Sequence, residues 1–265
     1  MRTASVALVL SILAFAPSGF GQEPAAAKKD SDPAVVAKIK EIQTAILDPK
    51  ASKDDAAINQ IKQVFEQRET LGAKDRDAFV AVLGDVFFKA KARTPDKSAI
   101  YVTSAKALEY FGNKGAKVLV KAYDDEKFSK ADWLDLRSKL LVGIGKTKDE
   151  AQVHFLIDRV VRTTDDPLIR AAGEAVGYFE ASPGKIRWDI CKEMIKRYNE
   201  IFNASRSTVD PSNVAAKTGR ERIAAIADTW NTSLSKLTRQ ADIREADKWL
   251  HWWNKNKDSD WNKLK

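Results

Sequence analysis

The chain has 265 residues and a formal charge of +8, with 44% hydrophobic and 31% charged residues. That balance excludes a disordered chain and fits one large domain or an elongated repeat array. Twelve glycines, eight prolines and the lack of long alternating Val/Thr/Tyr runs exclude a strand-rich fold and point to an all-α chain. The charge favours anionic surfaces, but it lacks the dense basic stripe of a nucleic-acid binder.

Residues 1–21 carry one charge at Arg2, an apolar run from Val6 to Ala16 and a breaker, Pro17-Ser18-Gly19. Small residues Gly19 and Gly21 then precede Gln22. This pattern predicts an export signal cleaved after residue 21, and its apolar run is too short to span a bilayer. A periplasmic or secreted location is therefore expected. Residues 22–32 read as a disordered polar linker, with folding starting near Asp32-Pro33. A lone cysteine, Cys191, excludes an internal disulfide framework and is expected to be an inert buried thiol.

Apolar residues then recur at three- and four-residue spacing. Ile39, Ile42 and Ile46 form one stripe; Ile58, Ile61 and Phe65 form the next; Phe79, Val82, Leu83, Val86 and Phe87 form a third. Later stripes run through Trp133, Leu136, Leu140, Leu141 and Ile144, then Val153, Leu156, Ile157, Val160 and Val161. Each predicts a helix burying one side. The polar breaks between them, such as YDDEKFSKAD and TTDDP, are short enough to join antiparallel neighbours.

In residues 159–179, RVVRTTDDPLIRAAGEAVGYF, Asp166 is placed to cap a helix and Pro167 to occupy its first position. Ala171, Ala172, Gly173 and Ala175 would let another helix approach closely. The order Asp166-Pro167, Ile169, Arg170, Ala171-Ala172, Val176-Gly177 resembles the second helix of a HEAT repeat, and weaker echoes lie at 102–125 and 136–161. This resemblance implies a right-handed α-solenoid of about five stacked helix pairs. It divides the chain into irregular N-terminal pairs (33–99), HEAT-like repeats (100–182) and a C-terminal pair with a cap (183–265). Two longer helices are expected in the last part, followed by a Trp-rich tail.

That tail, with Leu237-Thr238, Gln240, Trp249, Trp252-Trp253 and Asn254, resembles the end of exported bacterial HEAT-repeat proteins, with Arg239 standing at the turn glycine. Trp249, Trp252 and Trp253 share one helical face. They are expected to cap the open end of the array, each buried ring contributing about 2–3 kcal/mol. The competing reading is an aromatic platform in which Trp249 and Trp253 meet sugar rings or bases.

Several chemical motifs are expected to be incidental. Gly145-Lys146-Thr147 resembles the end of a phosphate loop, but Leu140 stands where that loop needs glycine. His154 and His251 have no second ligand at helical spacing, so no metal or other cofactor is expected. The pairs Asp124-Asp125 and Asp165-Asp166 are expected to cap helices. Asn203-Ala204-Ser205 and Asn231-Thr232-Ser233 match the glycosylation spacing by chance.

The leading expectation for function is a non-enzymatic protein-interaction scaffold whose concave surface carries Lys139, Arg170, Glu174 and Lys196. The alternatives are a binder of an anionic envelope polymer and a HEAT-like DNA glycosylase using Trp133, Asp135 and Trp188. Export from the genome's compartment weighs against the last, and no nucleic-acid partner is expected. The protein partner itself is not legible.

Overall fold

The computed structural model describes residues 30–206 and 214–264, and among them are eleven α-helices and no strand. The predicted export signal and most of the linker lie outside the described residues. The helices are α1 (Pro33–Ile46), α2 (Asp54–Glu66), α3 (Ala73–Phe88), α4 (Ala99–Leu108), α5 (Gly112–Tyr123) and α6 (Leu134–Lys146). They continue as α7 (Val153–Arg162), α8 (Asp166–Gly177), α9 (Gly184–Ser205), α10 (Val214–Thr238) and α11 (Ala246–Asn256).

Packing follows chain order. Consecutive helices pair as α1–α2, α3–α4, α5–α6, α7–α8 and α9–α10. The second members also form a continuous series, α2 on α4, α4 on α6, α6 on α8 and α8 on α10, while α11 packs on α9. The stripes predicted from periodicity are largely the buried faces: Ile39, Ile42 and Ile46 on α1, Leu136, Leu140 and Ile144 on α6, Leu156 and Val160 on α7; Val161, expected in the α7 stripe, is exposed. Helix α4 packs against both α2 and α6, so the chain passes residue 99 without a break in its core.

One polar break departs from expectation. YDDEKFSKAD contains two short 3-10 turns, Glu126–Phe128 and Ala131–Trp133, the first capped by Asp125, which accepts from Lys127 N at 3.1 Å. These turns drop Phe128 and Trp133 into the core, where each meets the Tyr101 ring edge-on, at 5.1 Å and 5.8 Å. Hidden in a charged stretch, Phe128 has no periodic partners to reveal it.

The start of α8 also needs correction. Asp165 is the N-cap residue and makes no side-chain cap bond; Asp166 is the first helical residue and Pro167 the second. The Asp166 carboxylate accepts from Arg222 Nε at 2.6 Å, and Arg222 Nη2 reaches Thr164 O at 2.8 Å. Asp166 therefore ties α8 to α10 instead of capping its own helix.

Small residues set the spacing of α6, α8 and α10. A Cβ added to Gly145 would lie 2.3 Å from the Ala175 carbonyl oxygen of α8. One on Gly173 would lie 2.1 Å from the indole nitrogen of Trp230, and one on Gly177 would lie 2.4 Å from Ser233 Oγ. Both partners belong to α10. Trp230 is wholly buried there, and its indole N–H donates to Ile169 O at 3.1 Å.

Arg239, standing where the resembled tail has glycine, adopts the left-handed conformation with φ 63°, and its Nη1 donates to Leu264 O at 2.5 Å. Lys148, after α6, has φ 54°. Left-handed geometry costs a residue with a Cβ roughly 1 kcal/mol. Lys148→Gly is therefore expected to raise stability by about 0.5–1 kcal/mol in urea unfolding. A loss of stability would mean that the turn is held by something other than its backbone geometry.

Candidate functional site

Three second-member helices, α4, α6 and α8, leave a groove between them of about 270 Å³. Their apolar stripes face the core, so the opposite faces line the groove at helical spacing. Helix α6 supplies Asp135, Lys139, Val142 and Lys146; α4, with the residue that follows it, supplies Val102, Lys106 and Glu109; α8 supplies Arg170, Ala171 and Glu174. Val102, Val142 and Ala171 give an apolar floor beneath charged rims.

The charges are partly committed. Lys139 pairs with Asp135 one turn away, and Lys146 crosses from α6 to Glu109 at 3.1 Å. Glu174 accepts from the Tyr178 hydroxyl at 3.4 Å. Burial, with Glu174 nearby, pushes the Tyr178 phenol up to about 12. Arg170 is exposed and makes no hydrogen bond or ion pair with the described residues. The groove thus presents an uncommitted guanidinium and an unpaired Lys106 beside the anchored Lys139 and Lys146. That arrangement attracts an anionic group; it contains no activated nucleophile.

Burial raises Glu109 above the ordinary carboxylate value, opposed by the hydrogen bond and charge of Lys146. Because the folded value is the higher one, the neutral carboxyl is the stabilising form. Its contribution is whole below the ordinary glutamate pKa and is lost as pH rises through the raised folded value. Relative to Glu109→Gln, the wild type should therefore lose stability as pH rises from the ordinary glutamate pKa through the raised folded one. Urea midpoints measured from acid to neutral pH check this, and a difference growing in favour of the wild type as pH rises would contradict it.

Of the four residues expected on the concave surface, Lys139, Arg170 and Glu174 come together in this groove and Lys196 does not. Lys196 lies exposed on α9, the first member of its pair, which packs on α7, α10 and α11. Lys106, Glu109 and Lys146 were missed by sequence reasoning, although their spacing on α4 and α6 carries the signal.

The tryptophan platform is also corrected. Trp249 is fully buried and Trp253 is 9% exposed, so neither offers a ring face to a ligand. Trp249 donates its N–H to Asn231 Oδ1 at 2.8 Å, and Asn231 Nδ2 donates to Arg244 O at 2.8 Å. Half-buried Trp252 meets Trp249 and Trp261 edge-on at 6.1 Å and 5.8 Å. Trp188 of α9 lies 5.4 Å from Trp253, and its N–H donates to Lys257 O at 2.8 Å. The rings close over α9 as a nested lid. Trp133 is buried beside Tyr101, so neither Trp133 nor Trp188 lines the groove that Asp135 lines.

Two buried arginines escaped the sequence reading. Arg93 forms a bidentate pair with Asp54, at 3.0 Å and 2.6 Å, and reaches Ile46 O at 3.4 Å. It joins the end of α1 to the start of α2. Arg187, only 2% exposed, donates to Ser182 O at 3.2 Å, Leu237 O at 2.8 Å and the carbonyl of Trp261. Nothing local distinguishes either arginine from a surface cation. Cys191, one turn from Arg187, is fully buried, and its thiol is pushed far up by burial.

His154 and His251 are exposed, and no group of metal-ligating side chains occurs among the described residues. Gly145 and Lys146 end a helix, with Thr147 at its C-cap, so no free N–H groups cradle a phosphate there. No family model matches this chain, and no curated protein or solved structure matches it.

Proposed function

We propose that this chain is an exported, non-enzymatic scaffold that binds a protein partner in the groove of α4, α6 and α8. In this reading the five helix pairs stack as a right-handed HEAT-like solenoid, and α11 with its tryptophans closes the end. The observation that carries it is the asymmetry between the two rows of helices. Helices α2, α4, α6, α8 and α10 each pack closely on the next, whereas in the other row α5 and α7 approach less closely and meet through side chains, Tyr123 lying edge-on to Phe155 at 5.7 Å. A stack with one row more tightly spaced bends toward that row, making the groove face concave, and repeat arrays bind partners on such faces. The apolar floor and charged rims give that face the mixed character of a protein-binding surface.

Export rests on the pattern of residues 1–21. No helix of the described residues is long and apolar enough to cross a membrane.

The test is affinity capture from envelope extracts with residues 22–265, comparing wild type, Val142→Arg and Lys196→Ala. Val142→Arg plants a charged side chain on the groove floor, whereas Lys196 lies outside the groove. A protein retained by wild type and Lys196→Ala but lost with Val142→Arg is expected. Identical retention by all three would contradict the groove as the binding surface.

A further inference from the structure

Resting on the scaffold reading above, we infer that the partner is an acidic peptide segment, which seats a carboxylate on Arg170 and an apolar side chain on the floor beside Val142.

Three features of the groove point there. First, two of its three lysines are held in place, Lys139 by Asp135 and Lys146 by Glu109, while Lys106 is exposed with no hydrogen bond or ion pair among the described residues. Arg170 likewise has no hydrogen bond or ion pair among the described residues, and unlike Lys106 it offers a planar fork of donors that can take a carboxylate in bidentate fashion. An incoming carboxylate pairs with it without breaking an existing bond. Glu174, the nearest carboxylate on α8, is one turn away and accepts from Tyr178.

Second, the floor is apolar. Val102, Val142 and Ala171 lie between the charged rims, so a purely charged ligand leaves them uncovered. A chain carrying apolar and acidic side chains in turn matches both parts of the groove. A sulfated or uronic polysaccharide matches only the rims.

Third, the volume is small. About 270 Å³ lies below the roughly 300–1,000 Å³ of an ordinary small-molecule site. It accommodates one side chain of a docked segment, with the rest of that segment lying along the helices.

The probe is a short fluorescent peptide alternating leucine and glutamate, titrated against the full chain by anisotropy. Controls are the same peptide with glutamine for glutamate, and dextran sulfate. Arg170→Ala is expected to weaken binding of the acidic peptide about tenfold. Arg170→Lys should recover part of that loss, and Lys196→Ala should change it less than about twofold. Arg170 is exposed and makes no hydrogen bond or ion pair with the described residues, so its variants should unfold close to the wild-type temperature, which separates lost binding from lost fold.

Equal binding of the glutamate and glutamine peptides, abolished by Val142→Arg, would overturn the acidic partner and leave the groove reading standing. Binding of dextran sulfate but not of the peptide would overturn it in favour of an anionic polymer. Peptide binding unaffected by Arg170→Ala and Val142→Arg alike would overturn both readings.

Discussion

Replacing Arg187 with leucine is expected to destabilise the protein by roughly 3–5 kcal/mol and to loosen the chain beyond α11 first. The guanidinium is buried and holds three carbonyls from separate parts of the chain: the turn after α8, the last turn of α10 and the terminal segment at Trp261. Leu237 lies at the carbonyl end of a long helix, where the aligned peptide dipoles favour a cation. Leucine fills part of the volume but leaves three acceptors without a donor. In a chain of this size the melting temperature should fall by roughly 10 °C.

The accompanying sign is local. Gly184 N donates to Asn262 Oδ1 at 2.9 Å and Arg239 to Leu264 O, so the terminal segment has further ties, but Arg187 is its buried one. In Arg187→Leu, protease should cut after Asn256 before the core unfolds, while Arg187→Lys, keeping a donor, should fall between the two. A melting point within about 2 °C of wild type, with the tail still protected, would mean that the three carbonyls are satisfied in another way.

Gly145→Ala is expected to be among the costliest single-methyl additions. Its Cβ would meet Ala175 backbone atoms at 2.3–2.7 Å, and backbone cannot rotate aside as a side chain does. Alanine is better than glycine in a helix by about 1 kcal/mol, so the substitution would stabilise an unpacked α6. Here α6 and α8 must separate instead, and overpacking of this kind costs about 1–3 kcal/mol, with the upper end expected at a backbone contact. Because Lys139 and Arg170 stand on these two helices, binding of the leucine–glutamate peptide should weaken as well. Gly173→Ala tests the next interface, where Trp230 is pinned by its bond to Ile169. Stability equal to or above wild type for Gly145→Ala would show that the α6–α8 contact is looser than its geometry implies.

What was legible in the sequence was what depends on near neighbours. Periodic apolar residues placed α1, α2, α3, α6 and α7, and the small residues around Gly173 forecast a close approach that α10 makes. The tryptophans at i, i+3 and i+4 share one helical face, and on α11 they cluster against α9 with Trp249 and Trp253 buried. What depended on distant partners was hidden. Arg187 bonds to residues 50 and 74 positions away, and Asp166, a good local cap by its position, is instead captured by Arg222 across 56 residues. The groove was half legible: Lys139, Arg170 and Glu174 follow from helical faces. Lys106 and Glu109 became visible only once 102–125 resolved into two helices broken at Phe111-Gly112. Lys196 stands outside the groove because α9 opens a helix pair instead of closing one.

The most direct measurement is amide hydrogen exchange of the full chain with and without the leucine–glutamate peptide. Protection gained along α4, α6 and α8, with α11 and the tryptophan lid unchanged, is the predicted result. Protection gained instead at residues 246–264, with the three groove helices unaltered, would contradict a groove-binding array closed by its tryptophans.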